Sequence, residues 1–140
     1  DTANIAAISA SLHQALDYEA QLLGGASENI ILGGFSQGCS ISEHVAASYN
    51  KPLAAMIGSS GYFLGSKLNP EKYGNISTPF YLLHGGADQI VPAAFGQQSQ
   101  AFLRKLGFTV EYFEQPGFGH SVSPQALVKI TEIFKLRGFD

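Results

Sequence analysis

Residues 29–43, NIILGGFSQGCSISE, predict a buried strand, a glycine-rich turn and the start of a helix in immediate succession. Gly34 to Gly38 form the pattern G-x-S-x-G, in which a serine occupies a tight turn between a strand and a helix. Glycine is expected on both sides of the serine because the backbone of such a turn is crowded and strained. The pattern therefore predicts that Ser36 projects clear of the sheet.

A serine in this turn can act as a nucleophile. It lies at a helix N-terminus, where unpaired N–H groups and the helix dipole favour negative charge. The backbone N–H of Gln37 is the candidate donor to a developing oxyanion. The same five residues also fit a glycine-rich turn with a capping serine, so the motif alone leaves a nucleophile and a structural turn open.

The composition indicates one packed domain, residues 1–140, and argues against several classes of function. Of the 140 residues, 45% are hydrophobic and 14% are charged, as expected of a folded protein rather than a disordered one. The net charge of -3 and the lack of a basic cluster argue against a nucleic-acid partner. No apolar run reaches the roughly eighteen residues that cross a bilayer, and one cysteine permits no internal disulfide. These features favour a cytoplasmic location.

Hydrophobic periodicity predicts four strands that alternate with helices. The expected strands are 30–32, 53–57, 80–84 and 109–113, and the expected helices are 2–23, 37–49, 93–106 and 124–136. The first helix is expected to stop at Gly24-Gly25, and Ser123 is expected to cap the last helix. The first helix is expected to carry an apolar stripe: Ile5, Ile8, Leu12, Ala15, Leu16, Tyr18, Leu22 and Leu23. Strands that are apolar without strict alternation indicate a parallel sheet buried on both faces. The expected fold class is therefore α/β, a mostly parallel sheet covered by helices on both faces. The connection after the second strand, as far as Thr78, is unusually long, which suggests a functional loop.

Residues of catalytic type follow three of the four predicted strands. Ser36 follows the first, Asp88 lies in HGGADQIVP after the third, and His120 ends PGFGH after the fourth. Because the carboxyl ends of parallel strands meet at one edge of a sheet, these side chains are expected to lie close together. A neutral imidazole can activate a serine hydroxyl, and a carboxylate on its other nitrogen fixes the tautomer. The chain order Ser, Asp, His is that of the α/β-hydrolases.

Several segments together give the sequence a family resemblance. IILGGFSQG, HGGADQIVP and PGFGH, with the turn Ser60-Gly61-Tyr62, resemble the phospholipase/carboxylesterase family of α/β-hydrolases, which includes acyl-protein thioesterases and lysophospholipases. The resemblance implies a serine hydrolase that cleaves carboxylic esters or thioesters through an acyl-enzyme, with no cofactor and no metal. It implies that Ser36 is the nucleophile, Asp88 the orienting acid, His120 the general base and the Gln37 N–H an oxyanion donor.

The sequence departs from the family pattern in two ways. Cys39 stands where glycine often follows the motif, inside the helix, and is not expected to alter the role of Ser36. Full members also have N-terminal strands and an H-G-x-G-like loop that completes the oxyanion hole, whereas nothing before Asn29 predicts a strand. The resemblance therefore covers the C-terminal part of the family fold only.

The resemblance also bears on partners and on alternatives. It implies an acyl ester or thioester substrate, either a lipid or an acylated protein. Because the sheet edge beside residues 30–32 is apolar and would be unprotected, a protein partner is also expected, either in a homo-oligomer or as a missing N-terminal segment. The main alternative is a catalytically silent truncated half-domain that associates with a partner chain. A cleft that binds a small ligand without turnover is a third reading.

The remaining histidines have simpler explanations. His84, at a strand end, is expected to be a hydrogen-bonded structural residue rather than a second base. His13 and His44 are expected on the surface or at its boundary. A metal site built from His84, Asp88 and His120 lacks the spacing of known ligand motifs, so no metal is expected.

Two further predictions concern apolar side chains. Cys39 is expected to be a small buried residue, because it lies on an apolar helix face. Phe63, Leu64 and Leu68 either line an acyl pocket or pack the long loop, and the sequence favours neither.

Overall fold

The computed structural model describes residues 2–67 and 73–139, which form four strands and four helices. The strands are β1 (Ile31–Phe35), β2 (Ala55–Ser59), β3 (Phe80–Gly85) and β4 (Val110–Gln115). The helices are α1 (Thr2–Leu22), α2 (Gln37–Ser48), α3 (Ala93–Lys105) and α4 (Pro124–Leu136), with short 3-10 turns at Ser27–Asn29 and Leu64–Lys67. The predicted alternation is confirmed, although every strand extends beyond its predicted end.

The strands form one parallel sheet in the order β1-β2-β3-β4. Gly33 pairs with Ile57 in the first ladder, and Phe80 pairs with Val110 in the last. Every strand enters from the same side, so the loops that follow β1, β3 and β4 emerge at one edge. This arrangement brings the segments that carry Ser36, Asp88 and His120 together.

Each face of the sheet has its own hydrophobic core, because successive residues of a strand point to opposite sides. Phe80 and Leu82 of β3 join the core that includes Leu103 of α3 and the buried residues of α2. Tyr81 and Leu83 join the opposite core with Ile133 of α4. The prediction of helices on both faces is therefore confirmed.

Helix α1 packs against α2, and its buried stripe is narrower than the sequence pattern suggests. The Tyr49 hydroxyl donates a hydrogen bond of 2.6 Å to Asp17, and Leu16 is buried between the two helices. Five of the eight apolar residues in the predicted stripe are exposed instead: Ile8, Ala15, Tyr18, Leu22 and Leu23. The helix ends before Gly24, whose φ of 70° gives the expected stop. No helix in the described part of the chain has the length and hydropathy to cross a membrane.

His44 is buried, so its predicted surface or boundary position is wrong. Its Nδ1 lies 2.9 Å from the hydroxyl of Tyr73, and only 7% of the residue is exposed. The long connection covers this face of α2, where Asn75 donates from its side chain to the carbonyl of Ala46. The helix pattern could not reveal this cover. His13, in contrast, is half-buried at the boundary, as predicted.

Phe63 packs the long connection onto the body of the protein. Its ring lies 5.1 Å from that of Tyr73 and 5.8 Å from that of Phe102, and its N–H donates to Ser99. Leu64 is half-buried, and Leu68 lies outside the described residues. Phe63 thus serves packing, although its ring also forms part of the wall of a surface groove described below.

Candidate active site

Ser36 occupies a strained turn between β1 and α2. It has φ 57° and ψ -119°, a backbone conformation that residues other than glycine rarely adopt. Its N–H donates a hydrogen bond of 2.8 Å to the carbonyl of Ser59 at the end of β2. The neighbouring strand therefore holds the turn in place.

The two glycines of the motif have different roles. A Cβ at Gly34 would clash with the carbonyl group of Gly38, so the close approach of the two backbones requires glycine there. A Cβ at Gly38 would meet nothing within 4 Å outside its own helix. The expected steric need for glycine at Gly38 is therefore wrong: the carbonyl of Gly38 causes the crowding, while its Cα faces open space.

The side chains of Ser36, His120 and Asp88 form one continuous hydrogen-bonded chain. The Ser36 Oγ lies 2.9 Å from Nε2 of His120, and the His120 Nδ1 lies 2.7 Å from Oδ2 of Asp88. An ionised carboxylate only accepts hydrogen bonds, so Nδ1 carries the proton and Nε2 is free to accept from the serine hydroxyl. This tautomer can take a proton from Ser36.

The side chain of Asp88 is fully buried, but both of its carboxylate oxygens accept hydrogen bonds. Oδ1 accepts from the N–H groups of Ile90 and Val91 at 2.9 and 2.8 Å, and Oδ2 accepts from His120. Burial opposes ionisation, yet the hydrogen bonds from His120, Val91 and Ile90 outweigh it and hold the pKa of Asp88 below its ordinary value. Asp88 is therefore a carboxylate at neutral pH.

The loops that carry Asp88 and His120 are tied to each other by backbone hydrogen bonds. Ala87 donates to the carbonyl of Phe118 at 2.9 Å, and Gly86 donates to that of Gln115 at 2.8 Å. A Cβ at Gly85 would clash with the backbone of this second loop, so glycine permits the contact. The imidazole and the carboxylate are thus held by the same rigid pair of loops.

Phe35 covers one side of the imidazole. Its ring centre lies 4.9 Å from that of His120, and 41% of the residue remains exposed. No sequence pattern assigned Phe35 a role. The position of Phe35 directly before Ser36 could have indicated this contact, because Phe35 leads into the turn that holds the serine.

The backbone N–H of Gln37 lies beside the serine and opens α2. As the first residue of a helix, Gln37 has no acceptor for this N–H within the helix. A negative oxygen formed on the substrate next to Ser36 would therefore meet a free donor and the positive end of the helix dipole.

An apolar groove runs beside the site. It has a volume of about 620 Å³ and is lined by Tyr62, Phe63, Ile90, Val91, Phe95, Gln98, Ser99 and Phe102. Ile90 and Val91 lie two and three residues after Asp88 and donate their N–H groups to it, and Gly61, next to Tyr62, approaches the carbonyl of Ser36. The groove therefore begins near the Ser36 turn. Within the described ranges, no group of three His, Cys, Asp or Glu residues is placed to hold a metal ion.

Beneath the turn, Cys39 and Glu43 form a buried polar pair that no sequence pattern indicated. Cys39 is buried, as predicted, and its thiol donates to Oε2 of Glu43 at 3.4 Å. Burial raises the pKa of Cys39 well above its ordinary value, and the nearby Glu43 raises it further. Oε1 of Glu43 has no hydrogen-bond partner in the described structure, and burial raises the pKa of Glu43 to about 8.

Comparison with known proteins identifies the fold and then the family. The chain superposes on the crystal structure of Arabidopsis thaliana SOBER1 with a TM-score of 0.88 at 29% identity, over 98% of this chain and 66% of that one. The parallel sheet with helices on both faces is that of an α/β-hydrolase. Residues 1–136 match the phospholipase/carboxylesterase family, and the chain belongs to it.

The similar sequences include acyl-protein thioesterases of fungi. Acyl-protein thioesterase 1 of Gibberella zeae is 36% identical over 107 residues, which are 74% of this chain and 46% of that protein. The protein of the same name from Neurospora crassa is 30% identical over 98% of this chain and 57% of its own length. The chain thus spans about half the length of these relatives.

The different roles of the two motif glycines can be tested by replacing each with alanine. Gly34→Ala should lower the free energy of unfolding by at least about 2 kcal/mol, because its Cβ overlaps a backbone carbonyl that cannot move away freely. Gly38→Ala, the matched control, should change it by less than about 0.5 kcal/mol. Urea unfolding monitored by circular dichroism measures both, and equal effects would contradict the assignment.

Glu43 should make the stability depend on pH. Between its ordinary pKa of 4.5 and about 8, the unfolded chain releases a proton that the folded chain retains. The free energy of unfolding should therefore fall as the pH rises through this window, by up to about 1.4 kcal/mol per pH unit from this group, and level off above it. Glu43→Gln should remove this contribution, as measured by urea unfolding from pH 5 to pH 9.

Glu132→Gln is the control for this measurement. Glu132 is exposed on α4, where its carboxylate lies 3.7 Å from the ammonium of Lys129. Its replacement should leave the slope unchanged. If Glu43→Gln and Glu132→Gln give the same pH profile as the wild type, Glu43 is not protonated in the folded protein.

Proposed function

We propose that this chain carries the nucleophile, base and orienting acid of a serine hydrolase that cleaves carboxylic esters or thioesters. The observation that carries the proposal is the continuous hydrogen-bonded chain from Ser36 through His120 to Asp88. Family membership supports the reaction class, because similar proteins are named acyl-protein thioesterases and carboxylesterases. The substrate class is an acylated protein or a lipid ester.

In the first half of the reaction, the Ser36 Oγ attacks the acyl carbonyl carbon while its proton passes to Nε2 of His120. Asp88 stabilises the imidazolium that forms. The carbonyl oxygen becomes negative and accepts a hydrogen bond from the Gln37 N–H. The C–O or C–S bond then breaks, and the leaving alkoxide or thiolate takes the proton from His120, which leaves the acyl group on Ser36.

In the second half, water releases the acyl group. His120, neutral again, takes a proton from the attacking water, whose oxygen bonds to the acyl carbon. The intermediate collapses when the bond to the Ser36 Oγ breaks, and the serine recovers its proton from His120. The products are a free carboxylic acid and the regenerated site, so the cycle needs no cofactor.

The apolar groove suits the acyl part of such a substrate. Ile90, Phe95 and Tyr62 are 71, 45 and 39% exposed, although each is apolar or aromatic. A hydrocarbon chain laid against them would remove this surface from water, at roughly 25 cal/mol for each Å² buried. The groove therefore favours an extended acyl chain over a small acyl group such as acetyl.

A second candidate function is association with another polypeptide segment. Among the described strands, β1 pairs with β2 alone, so its other edge carries unpaired backbone groups. Beside it, an apolar cleft of about 250 Å³ lies between the sheet and α4, with Ile31, Phe35 and Phe134 among its lining residues. These two features favour a partner segment, either a second copy of the chain or a segment that supplies further strands of the family fold.

Covalent labelling tests the hydrolase proposal. The protein should react with a fluorophosphonate probe and hydrolyse an acyl thioester, because both reactions need an activated serine. Ser36→Ala should abolish labelling and lower kcat by a factor of about 10⁴ or more. The matched control is Ser48→Ala on α2, remote from the Ser36 turn, which should label normally. Unimpaired labelling of Ser36→Ala would refute the proposal.

Sedimentation tests the association. The 140-residue chain should self-associate at micromolar concentrations, and Phe134→Lys should weaken this by placing a charge in the apolar cleft. Leu136→Lys is the control: Leu136 is 69% exposed on the same helix but does not line the cleft. A monomeric wild-type chain that turns over ester substrates by itself would contradict this second function.

A further inference from the structure

A second histidine, His84, lies directly behind Asp88. It occupies the end of β3, and only 1% of its side chain is exposed. Gly96 of α3 packs against the ring so closely that a Cβ there would lie 2.6 Å from Nδ1 of His84. The ring is therefore enclosed, and its orientation is fixed by packing.

One N–H of this ring faces two acceptors. The Nε2 atom of His84 lies 2.7 Å from the carbonyl oxygen of Val91 and 3.5 Å from Oδ2 of Asp88. A carbonyl oxygen only accepts hydrogen bonds, so Nε2 bears a proton and donates it to Val91. This oxygen of Asp88, Oδ2, is the one that also accepts from His120.

The bond to Val91 closes the loop that carries Asp88. Val91 accepts from His84 through its carbonyl and donates to Oδ1 of Asp88 through its N–H at 2.8 Å. Val91 is thus fixed by a hydrogen bond on each side, and its N–H in turn fixes the carboxylate of Asp88. Without the first bond, the N–H groups that orient Asp88 would lose their own support.

The other titratable groups near His84 have partners of their own. Glu114 lies opposite His84 in the β3–β4 register, but its Oε1 accepts from Gln97 and from the hydroxyl of Tyr112, both at 2.7 Å. These hydrogen bonds lower the pKa of Glu114, and burial with the Glu114 contact raises the pKa of Tyr112. The hydrogen-bond partner of the His84 ring is therefore the carbonyl of Val91, and Oδ2 of Asp88 lies 3.5 Å from the same nitrogen.

We propose that His84 is a positioning residue for the reaction: through Val91 and Asp88 it fixes the carboxylate that orients His120. This inference rests on the proposed function, since it assigns a role to the acid of that site. It makes a prediction that a purely structural histidine does not, because loss of the N–H should disturb the His120–Asp88 hydrogen bond even in a folded protein.

Two variants of the protein separate the effect of the His84 N–H from the effect of side-chain packing. His84→Leu keeps a bulky side chain in the enclosed position but removes the N–H donor. It should lower kcat for a thioester substrate by 10- to 100-fold, with KM within about threefold. His84→Gln places an amide N–H near the position of Nε2 and should recover kcat to within about fivefold of the wild type. Equal kcat values for wild type and His84→Leu would overturn the proposal.

Proton NMR gives a readout that does not need turnover. The proton shared by His120 Nδ1 and Asp88 is expected as a resolved downfield signal, because a short charge-assisted hydrogen bond deshields it. The signal should move or broaden in His84→Leu and persist in His84→Gln. An unchanged signal in folded His84→Leu would overturn the proposal, whether or not the protein hydrolyses esters.

His44→Leu is the matched control, because it removes another buried histidine. His44 lies on α2 and is hydrogen-bonded to the hydroxyl of Tyr73. It should lower the melting temperature without lowering kcat or moving the downfield signal. If Ser36→Ala retains full activity, the proposed function fails while the NMR test of His84 still stands. If Ser36→Ala is inactive and His84→Leu is normal by both measures, only the inference about His84 fails.

Discussion

The structure depends on the close crossing of two backbone segments at Ser36. The carbonyl of Gly38 passes so near the Cα of Gly34 that no side chain fits between them, and Ser36 takes a positive φ as a result. The hydrogen bond from Ser36 to Ser59 and the helix that begins at Gln37 stabilise this strained conformation. Because the turn is fixed in this way, the serine hydroxyl meets His120 without further movement.

Two buried carboxyl groups near the site show how hydrogen bonding decides the charge of a buried acid. Asp88 receives three donors, so it stays ionised although its side chain is excluded from water. Glu43 receives one weak thiol donor, and its pKa rises to about 8. Burial is common to both, and the number of donors separates them. The ionised group orients His120, while the neutral one lies beneath the turn.

Most of the architecture could be predicted from local patterns. The strand and helix assignments, the glycine stop after α1 and the serine cap of α4 each depend on neighbouring residues. The predictions that failed concern what covers a surface: His44 is covered by Tyr73 from a distant connection, and five of the eight residues in the apolar stripe of the first helix face outwards. The prediction that Gly38 must be glycine for steric reasons failed for a related reason, because steric crowding depends on where the backbone segments cross.

The sequence by itself determined the class of fold, the strained serine turn and the order of three reactive residues along the chain, because periodicity and turn chemistry act over a few residues. Only the tertiary structure decided that residues 36, 88 and 120 touch, that His84 closes the loop behind Asp88, and that Glu43 lacks a second donor. Those contacts join residues from different strands and helices. Their distances follow from how the sheet packs, and no local pattern encodes them.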